Sequence, residues 1–234
     1  MSLIIDTYAL NEKSATIVFG NEISLALANT IARFDRALKA KPFPGLITTV
    51  PAYASLTVWY DPLVVRTAAL TGRSNFDKVA EYLKTLKVTD GGAAANVRQF
   101  NLPVCYEGEF APDLEEVARH AKLDADEVVN IHSSATYIVY MIGFVPGFAY
   151  LGGMDVRLSS PRKKSPRAVV PAGSVGIAGE QTGIYPLATP GGWQLIGRTA
   201  PVLFDLSRAD AALLRAGDEI NFHPVSAAEF KSLF

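Results

Sequence analysis

The distribution of glycine and proline constrains the fold of this 234-residue chain more than any other feature. Residues 143–198 hold 11 of the 18 glycines and six of the 14 prolines. Short apolar runs lie between them, at 169–170, 175–178 and 194–196. Because glycine and proline interrupt helices and recur at tight turns, this segment predicts many short strands closed into a β-barrel.

The first part of the chain alternates the patterns of strands and helices. Apolar residues recur at helical spacing, and Ser74 followed by Asp77 has the pattern of a capping box at a helix start. The predicted elements, in chain order, are an edge strand at 3–8, a strand at 15–19, a helix at 22–40, strands at 46–50 and 55–60, and a helix that begins at Ser74. This order predicts a small ferredoxin-like α/β sandwich.

A small, uncharged and unpatterned stretch at 91–95 predicts the boundary between two domains. The sequence therefore predicts an α+β protein with an N-terminal α/β domain over 1–90 and a β-barrel domain over 96–234. The barrel domain would begin with a strand at 97–106, followed by helices that begin near Pro112 and Asp124.

Composition and charge argue against several classes of protein. Lys plus Arg number 22 and Asp plus Glu 23, so the chain has no basic excess with which to bind nucleic acid. The helix pair at 113–133 resembles a helix-turn-helix, but its second helix begins with acidic residues that repel phosphate. The single cysteine, Cys105, excludes an internal disulfide and a cysteine-clustered zinc site, and we predict no metal. No apolar run of about 20 residues and no signal-peptide pattern occurs, so we expect no membrane partner and a cytoplasmic protein.

Polar and aromatic side chains lie among the glycines of residues 143–198. Arginines can bind a carboxylate or phosphate in bidentate fashion, amides and hydroxyls offer neutral hydrogen bonds, and aromatic rings can form an apolar wall. Glycines and prolines alone can also be explained by turns, and the arginines by ion pairs. Turns alone do not require polar and aromatic side chains among the glycines, so the whole set favours a ligand site. The set consists of Arg162, Arg167, Arg198, Gln181, Thr182, Tyr185, Phe148 and Trp193.

The same segment carries a family resemblance. Its motifs are GFVPGFAYLGG at 143–153, SPRKKSPR at 160–167, VPAGSVGIAG at 170–179, QTGIYPL at 181–187 and PGGWQLIGR at 190–198. They resemble the family of 5-oxoprolinase B subunits, also called allophanate hydrolase subunit 1, which includes the KipI sporulation-kinase inhibitor. The resemblance covers the second half of the chain and reaches the first half only through length and element order.

The resemblance implies a cyclophilin-like barrel and a component of an ATP-dependent 5-oxoprolinase. This hydrolase opens the cyclic amide of 5-oxo-L-proline to L-glutamate and would be active only as a complex with the 5-oxoprolinase A and C subunits, the latter also called allophanate hydrolase subunit 2. ATP would be the co-substrate, bound here or at a site on or shared with a partner. Two alternatives remain open: a KipI-like inhibitor of sensor histidine kinase autophosphorylation, and a carboxyltransferase component of a biotin-dependent urea carboxylase/allophanate hydrolase system.

The residues of the barrel motifs divide into predicted catalytic and substrate-binding sets. Arg167 or Arg198 would pair with a substrate carboxylate or a phosphoryl oxygen, and backbone amides near Gly173 and Gly191 would stabilise charge. His132 either transfers a proton or packs as a structural residue. The predicted catalytic residues are His132, Arg167, Gln181 and Arg198. The predicted substrate-binding residues are Phe148, Arg162, Gly173, Ser174, Thr182, Tyr185, Gly191, Gly192 and Trp193.

Overall fold

The computed structural model describes residues 4–88 and 97–233. The chain divides into two compact units, Met1–Asn96 and Val97–Phe234. The predicted linker at 91–95 lies outside the described residues. No helix in the described ranges is both long and apolar enough to cross a membrane.

The described part of the first unit packs helices against an antiparallel sheet with strand order β1-β2-β4-β3. Its elements are β1 (Asp6–Asn11), β2 (Ser14–Val18), α1 (Leu25–Ala40), β3 (Leu46–Pro51), β4 (Ser55–Tyr60), α2 (Pro62–Thr67) and α3 (Asn75–Thr85). The predicted order of strands and helices is observed, including a strand before β2, whereas the ferredoxin-like arrangement is not confirmed.

Local sequence signals explain where the helices of this unit begin and which face they bury. Ser74 Oγ accepts a hydrogen bond from Asp77 N at 3.0 Å, and Asp77 Oδ2 accepts one from Ser74 N at 3.0 Å, so the predicted capping box is confirmed. The helix α1 buries Ile31, Phe34 and Leu38, which recur at helical spacing and join the core of the sheet.

The second unit contains a closed barrel with the strand order β10-β7-β6-β13-β5-β12-β9. The elements of its described part are β5 (Gln99–Cys105), α4 (Leu114–Ala121), α5 (Ala125–Ser134), β6 (Thr136–Ile142), β7 (Ala149–Gly152), β8 (Arg167–Val170), β9 (Ser174–Ala178), β10 (Gln181–Ile184), β11 (Thr189–Gly191), β12 (Gln194–Thr199), β13 (Glu219–Val225) and α6 (Ala227–Lys231). The predicted barrel is confirmed, whereas its cyclophilin-like topology stays a prediction. The β5–β13 pair is parallel, and β8 and β11 form a separate two-stranded sheet.

The barrel strands separate an interior cluster of aliphatic and aromatic residues from a second, mainly aromatic cluster on the outer face. On β9, Val175 and Ile177 belong to the interior cluster, whereas Ala178 belongs to a second, aromatic cluster. The helix α4 adds Leu114 and Val117 to the interior cluster. Alternation along short strands therefore assigns each residue to one side of the barrel wall.

Glycine is required at Gly173 for two separate reasons. Its φ of +82° lies in the left-handed region, and a β-carbon there would collide with the carbonyl oxygen of Thr199. Gly179 shares the left-handed backbone, with φ of +58°, but a β-carbon there would meet no atom within 4 Å. Substitutions at the two glycines can therefore distinguish the cost of backbone strain from the cost of steric collision.

We predict that Gly173→Ala destabilises the chain by about 3 kcal/mol, since strain of about 1–2 kcal/mol adds to a comparable packing cost. Gly179→Ala, the matched control, should cost only the strain. Urea denaturation of both variants checks this difference. Equal losses of stability would contradict the collision at Thr199.

Candidate functional site

An aromatic cluster lies on the outside of the barrel wall and contains the residues predicted to form an apolar wall. A β-carbon at Gly183 would lie 3.0 Å from the Trp193 ring, while the next residue, Ile184, packs in the barrel interior. The Phe148 ring centroid lies 4.9 Å from that of Tyr185 and 5.4 Å from that of Trp193, in T-shaped contacts. These three predicted site residues thus form one packed layer.

Burial limits what this layer can offer to a ligand. Phe148 and Tyr185 are each 1% exposed and Trp193 is 5% exposed, so these rings lie beneath the accessible surface of the site. Tyr150 is only partly buried, and its ring lies 4.6 Å from Phe148 and 5.8 Å from Trp193. The accessible part of the cluster is therefore Tyr150, which belongs to the first glycine-rich motif but was not among the predicted site residues.

The loop before this cluster holds Phe144 in a strained conformation. Phe144 has φ of +65°, and Val145 N donates to Gly143 O at 2.8 Å across it, which is the hydrogen bond of a γ-turn. Its side chain is 64% exposed, and its ring contacts Phe148 edge-on at 5.8 Å. An aromatic residue with positive φ is costly, and such strain is concentrated at functional sites.

A buried carboxylate, Asp113, fixes one arginine of the predicted site. Asp113 Oδ1 accepts from Arg167 Nη2 at 2.6 Å and from Lys163 Nζ at 2.9 Å, while Oδ2 accepts from Leu195 N at 2.7 Å. Burial raises the pKa of Asp113, but the hydrogen bonds from these three groups outweigh it, so the pKa lies below its ordinary value. Arg167 therefore forms the ion pair that the alternative interpretation predicted.

His132 lies inside the barrel and not at an accessible site. Its Nδ1 lies 2.8 Å from the Tyr106 hydroxyl and its Nε2 lies 3.0 Å from Thr182 Oγ1. Since the Thr182 hydroxyl donates to Gly176 O, Nε2 of His132 must carry the proton and Nδ1 must accept from Tyr106.

The environment of His132 argues against proton transfer to a substrate. His132 and Thr182 are both 0% exposed, and burial lowers the pKa of His132 to about 3. The imidazole is neutral and both nitrogens are engaged, which supports the structural interpretation of His132. The site proposed below therefore does not include His132 as a catalytic residue or Thr182 as a substrate-binding residue.

Three further predicted residues are engaged by the backbone of the barrel or buried in its wall. Gly173 N donates to Tyr185 O at 2.7 Å, so this amide is not available to stabilise a substrate charge. Ser174 is 3% exposed. Arg198 Nε donates to Ala172 O at 2.8 Å, which anchors the side chain while leaving it partly exposed.

The remaining predicted residues are accessible. One of them, Arg162, lies beside the segment that carries Trp193, because Lys163 N donates to Gly192 O at 2.8 Å and Gln194 Nε2 donates to Pro161 O at 3.0 Å. Burial raises the pKa of the Tyr150 and Tyr185 hydroxyls, and the positive charge of Arg162 partly offsets this rise at both. Arg162 is exposed. The structure thus brings together an exposed guanidinium, a partly exposed phenol and an aromatic layer, which suit a small anion with an apolar part. The other accessible members are Gln181, Gly191, Gly192 and Arg198.

The described residues offer little for a metal ion. No group of three or more His, Cys, Asp or Glu side chains with suitable spacing occurs among residues 4–88 and 97–233.

Comparison with known proteins identifies the family. A family model described as "Carboxyltransferase domain, subdomain C and D" matches residues 5–214. The chain belongs to this family. It is 45% identical to the 5-oxoprolinase B subunit of Bacillus subtilis, over 94% of this chain and 93% of that protein. It is 37% identical to the 5-oxoprolinase B subunit of Escherichia coli O157:H7, over 93% of this chain and 94% of that protein. The resemblance to 5-oxoprolinase B subunits is therefore confirmed, and it extends into the first half of the chain.

A solved structure shows the same fold within a longer chain. The crystal structure of TTHA0988 has a TM-score of 0.77 and is 35% identical, over 92% of this chain. This chain spans only 40% of TTHA0988. In that protein, the fold is one part of a larger polypeptide.

We predict that His132 makes stability sensitive to mild acid. Because its pKa is about 3 when folded and 6.5 when unfolded, the stabilisation from its neutral form is complete above pH 6.5 and declines as pH falls through this window. Because of this group, the free energy of unfolding should be about 2 kcal/mol lower at pH 5 than at pH 7. The difference in unfolding free energy between wild type and His132→Gln, measured across pH 5–8, isolates this contribution.

The carboxylates titrate in both proteins and therefore cancel in that difference. Identical pH dependence of the two proteins would contradict a neutral buried His132. Nuclear magnetic resonance of the wild type gives a second measurement, in which the His132 ring protons should not titrate between pH 5 and pH 8.

We predict that Asp113→Asn destabilises the chain by about 1–3 kcal/mol, because Arg167 and Lys163 lose their charged partner. Glu116 is an exposed carboxylate 3.3 Å from the same Lys163, so Glu116→Gln is a matched control that should change stability by less than about 1 kcal/mol. Urea denaturation measures both. A control loss as large as that of Asp113→Asn would show that the buried carboxylate is not the anchor.

Proposed function

We propose that this chain is a component of an ATP-dependent 5-oxoprolinase that opens 5-oxo-L-proline to L-glutamate together with the A and C subunits of that enzyme. The single observation that carries the proposal is the 45% identity to the 5-oxoprolinase B subunit of Bacillus subtilis, which covers nearly the whole of both chains. A lactam is a poor electrophile, and phosphorylation of its oxygen makes the ring carbon more electrophilic, so that water adds to it. The ring C–N bond then breaks as the nitrogen takes up a proton, and hydrolysis of the resulting acyl phosphate releases glutamate and phosphate. This chemistry explains the use of ATP by a hydrolase that acts on a cyclic amide.

In this proposal the outer face of the barrel contacts the substrate. Arg162 is the exposed cation beside the aromatic cluster and binds the substrate carboxylate, while Tyr150 contacts the ring. Gln181 and Arg198 stay proposed contacts because both are partly exposed. Phe148, Tyr185 and Trp193 form the packed layer that holds Tyr150 in place.

ATP is the co-substrate, and its phosphates bind on a partner or at a shared site. The glycine amides were the candidate phosphate donors in this chain. Gly173 donates its amide to Tyr185 O, and Gly191 packs so closely on Tyr185 that a β-carbon would lie 2.5 Å from the hydroxyl oxygen. The Gly173 amide is thus engaged within the barrel, which supports a nucleotide site completed elsewhere in the complex.

Partner subunits are part of the proposal for two reasons. The relatives are named as B subunits, and in TTHA0988 the same fold is part of a chain more than twice as long. The exposed Phe144, held outward by its strained γ-turn, suits an anchor for a partner protein. We therefore expect activity only in the assembled complex.

We predict ATP-dependent formation of glutamate from 5-oxo-L-proline when this chain is co-expressed with the A and C subunits. Arg162→Gln should lower kcat/KM by about tenfold or more, since it removes a charged contact to the carboxylate. Arg157→Gln is the matched control, because Arg157 is exposed and pairs with Asp155 away from the aromatic cluster. Its kcat/KM should equal that of the wild type.

Two results would contradict separate parts of this proposal. Absence of glutamate formation in every combination of subunits would exclude the 5-oxoprolinase function. Glutamate formation with unchanged kinetics for Arg162→Gln would leave the function in place and remove Arg162 from the site.

The family description supports a second candidate, which is carboxyl transfer in a biotin-dependent urea carboxylase system. Transfer of a carboxyl group would need the same kind of anion contact at Arg162. Supplying the complex with a biotin carrier, biotin carboxylase and urea separates the two candidates. Carboxylation of urea without glutamate formation from 5-oxoproline would favour the second.

A further inference from the structure

The segment that carries Arg162 belongs to no helix or strand, yet hydrogen bonds fix its backbone on both sides of this residue. On the N-terminal side, Gln194 Nε2 donates to Pro161 O at 3.0 Å. On the C-terminal side, Lys163 N donates to Gly192 O at 2.8 Å. Pro161 O and Lys163 N belong to the two peptide planes that meet at the α-carbon of Arg162. Both backbone dihedrals of Arg162 are therefore restrained, although its side chain is exposed.

The partners of these two peptide planes lie on either side of Trp193 in the sequence. Gly192 supplies a backbone oxygen, and Gln194 supplies a side-chain amide. Trp193 itself packs against Phe148 in the aromatic cluster, with the ring centroids 5.4 Å apart. The two hydrogen bonds therefore hold the backbone of Arg162 in one place relative to this cluster.

Gln194 is itself held in place, whereas the Arg162 side chain is available to a ligand. Gln194 is 3% exposed and begins β12, and the next residue, Leu195, donates its N–H to Asp113 Oδ2 at 2.7 Å. Among the residues that the structure describes, the Arg162 guanidinium has no ion-pair partner. A fixed amide thus restrains the backbone beneath an exposed cation that can bind an anion.

We propose that Gln194 is a positioning residue that holds the Arg162 guanidinium where it meets the substrate carboxylate. The identity of that substrate rests on the proposed function, whereas the hydrogen bond to Pro161 O does not. A cation on an irregular segment loses conformational entropy when it binds an anion. Because Gln194 restrains the segment beforehand, less entropy is lost on binding. Gln194 acts on the substrate only through Arg162.

Kinetics of the assembled complex test this role with Gln194→Met, which keeps a side chain of similar length and removes the donor. KM for 5-oxo-L-proline should rise about three- to tenfold while kcat stays within about twofold, since Arg162 binds the same carboxylate before and during the reaction. Lys164→Met is the matched control, because Lys164 is an exposed residue of the same segment. Its KM and kcat should equal those of the wild type.

A double variant distinguishes positioning from a general loss of structure. If Gln194 acts through Arg162, the double variant Arg162→Gln/Gln194→Met should have the same KM as Arg162→Gln alone. A further rise of about three- to tenfold in the double variant would overturn the proposal. An unchanged KM in Gln194→Met would overturn it as well.

Amide hydrogen exchange of the full chain tests the same contact without substrate or partner proteins. The Lys163 amide is protected by its bond to Gly192 O, and Gln194→Met should speed its exchange by about three- to tenfold. The Val139 amide, which donates to Asp218 O at 2.9 Å elsewhere in the barrel, should exchange as in the wild type. An unchanged rate at Lys163, or an equal increase at both amides, would overturn the proposal.

A second variant applies if Gln194→Met fails to fold. Lys163 Nζ donates to Asp113 Oδ1 at 2.9 Å, so Lys163→Met loosens the same segment from its other side while Arg167 keeps Asp113 paired. The same rise in KM is expected, and an unchanged KM would overturn the proposal. Absence of glutamate formation by the wild-type complex would contradict the proposed function alone, and the exchange rate at Lys163 would then decide the role of Gln194.

Discussion

The buried carboxylate of Asp113 is the interaction on which the second unit depends. It precedes α4 and joins that helix to the segment that leads into β8 and to the start of β12. These three parts of the chain are far apart in sequence, and Leu195 N is held by the carboxylate while Leu195 O accepts from Asp113 N at 2.9 Å. Because Trp193 lies two residues before Leu195, the same anchor positions the aromatic layer.

Polar side chains are accommodated differently on the two sides of the barrel wall. Inside, His132 is neutral and links Tyr106 to Thr182, so every polar atom of that network has a partner, and the imidazole stacks on Phe222. Outside, aromatic rings pack edge-on, and an exposed cation, Arg162, lies near them. The interior network therefore makes the barrel core rigid, whereas solutes can contact the protein at the outer face.

Local patterns allowed much of the fold to be predicted, because they depend on neighbours in sequence. The barrel, the helix α1 and the Ser74–Asp77 capping box all follow from spacing within a few residues. The element order of the first unit was predicted as well, but its ferredoxin-like arrangement is not confirmed, because the sheet order β1-β2-β4-β3 depends on pairing between strands that are distant in sequence. The roles of His132 and Asp113 had no such local basis. Depth in the barrel decided the role of His132, and partners 50 or more residues away decided that of Asp113.

Several groups that could bind an anion already form hydrogen bonds or ion pairs within the second unit, which bears on why such a chain would act in a complex. Phosphoryl transfer to a lactam, followed by ring opening, requires cations or amides at both the phosphates and the substrate carboxylate. In residues 4–88 and 97–233, Arg167 is committed to Asp113, and Gly173 is committed to Tyr185. Arg198 is partly committed to Ala172, which leaves Arg162 as the exposed cation beside the aromatic layer. One exposed guanidinium can bind the carboxylate of a small acid, but it cannot also neutralise a triphosphate. This engagement supports the proposal that the charges needed at the phosphates come from another protein of the complex, with ATP at a shared or partner site.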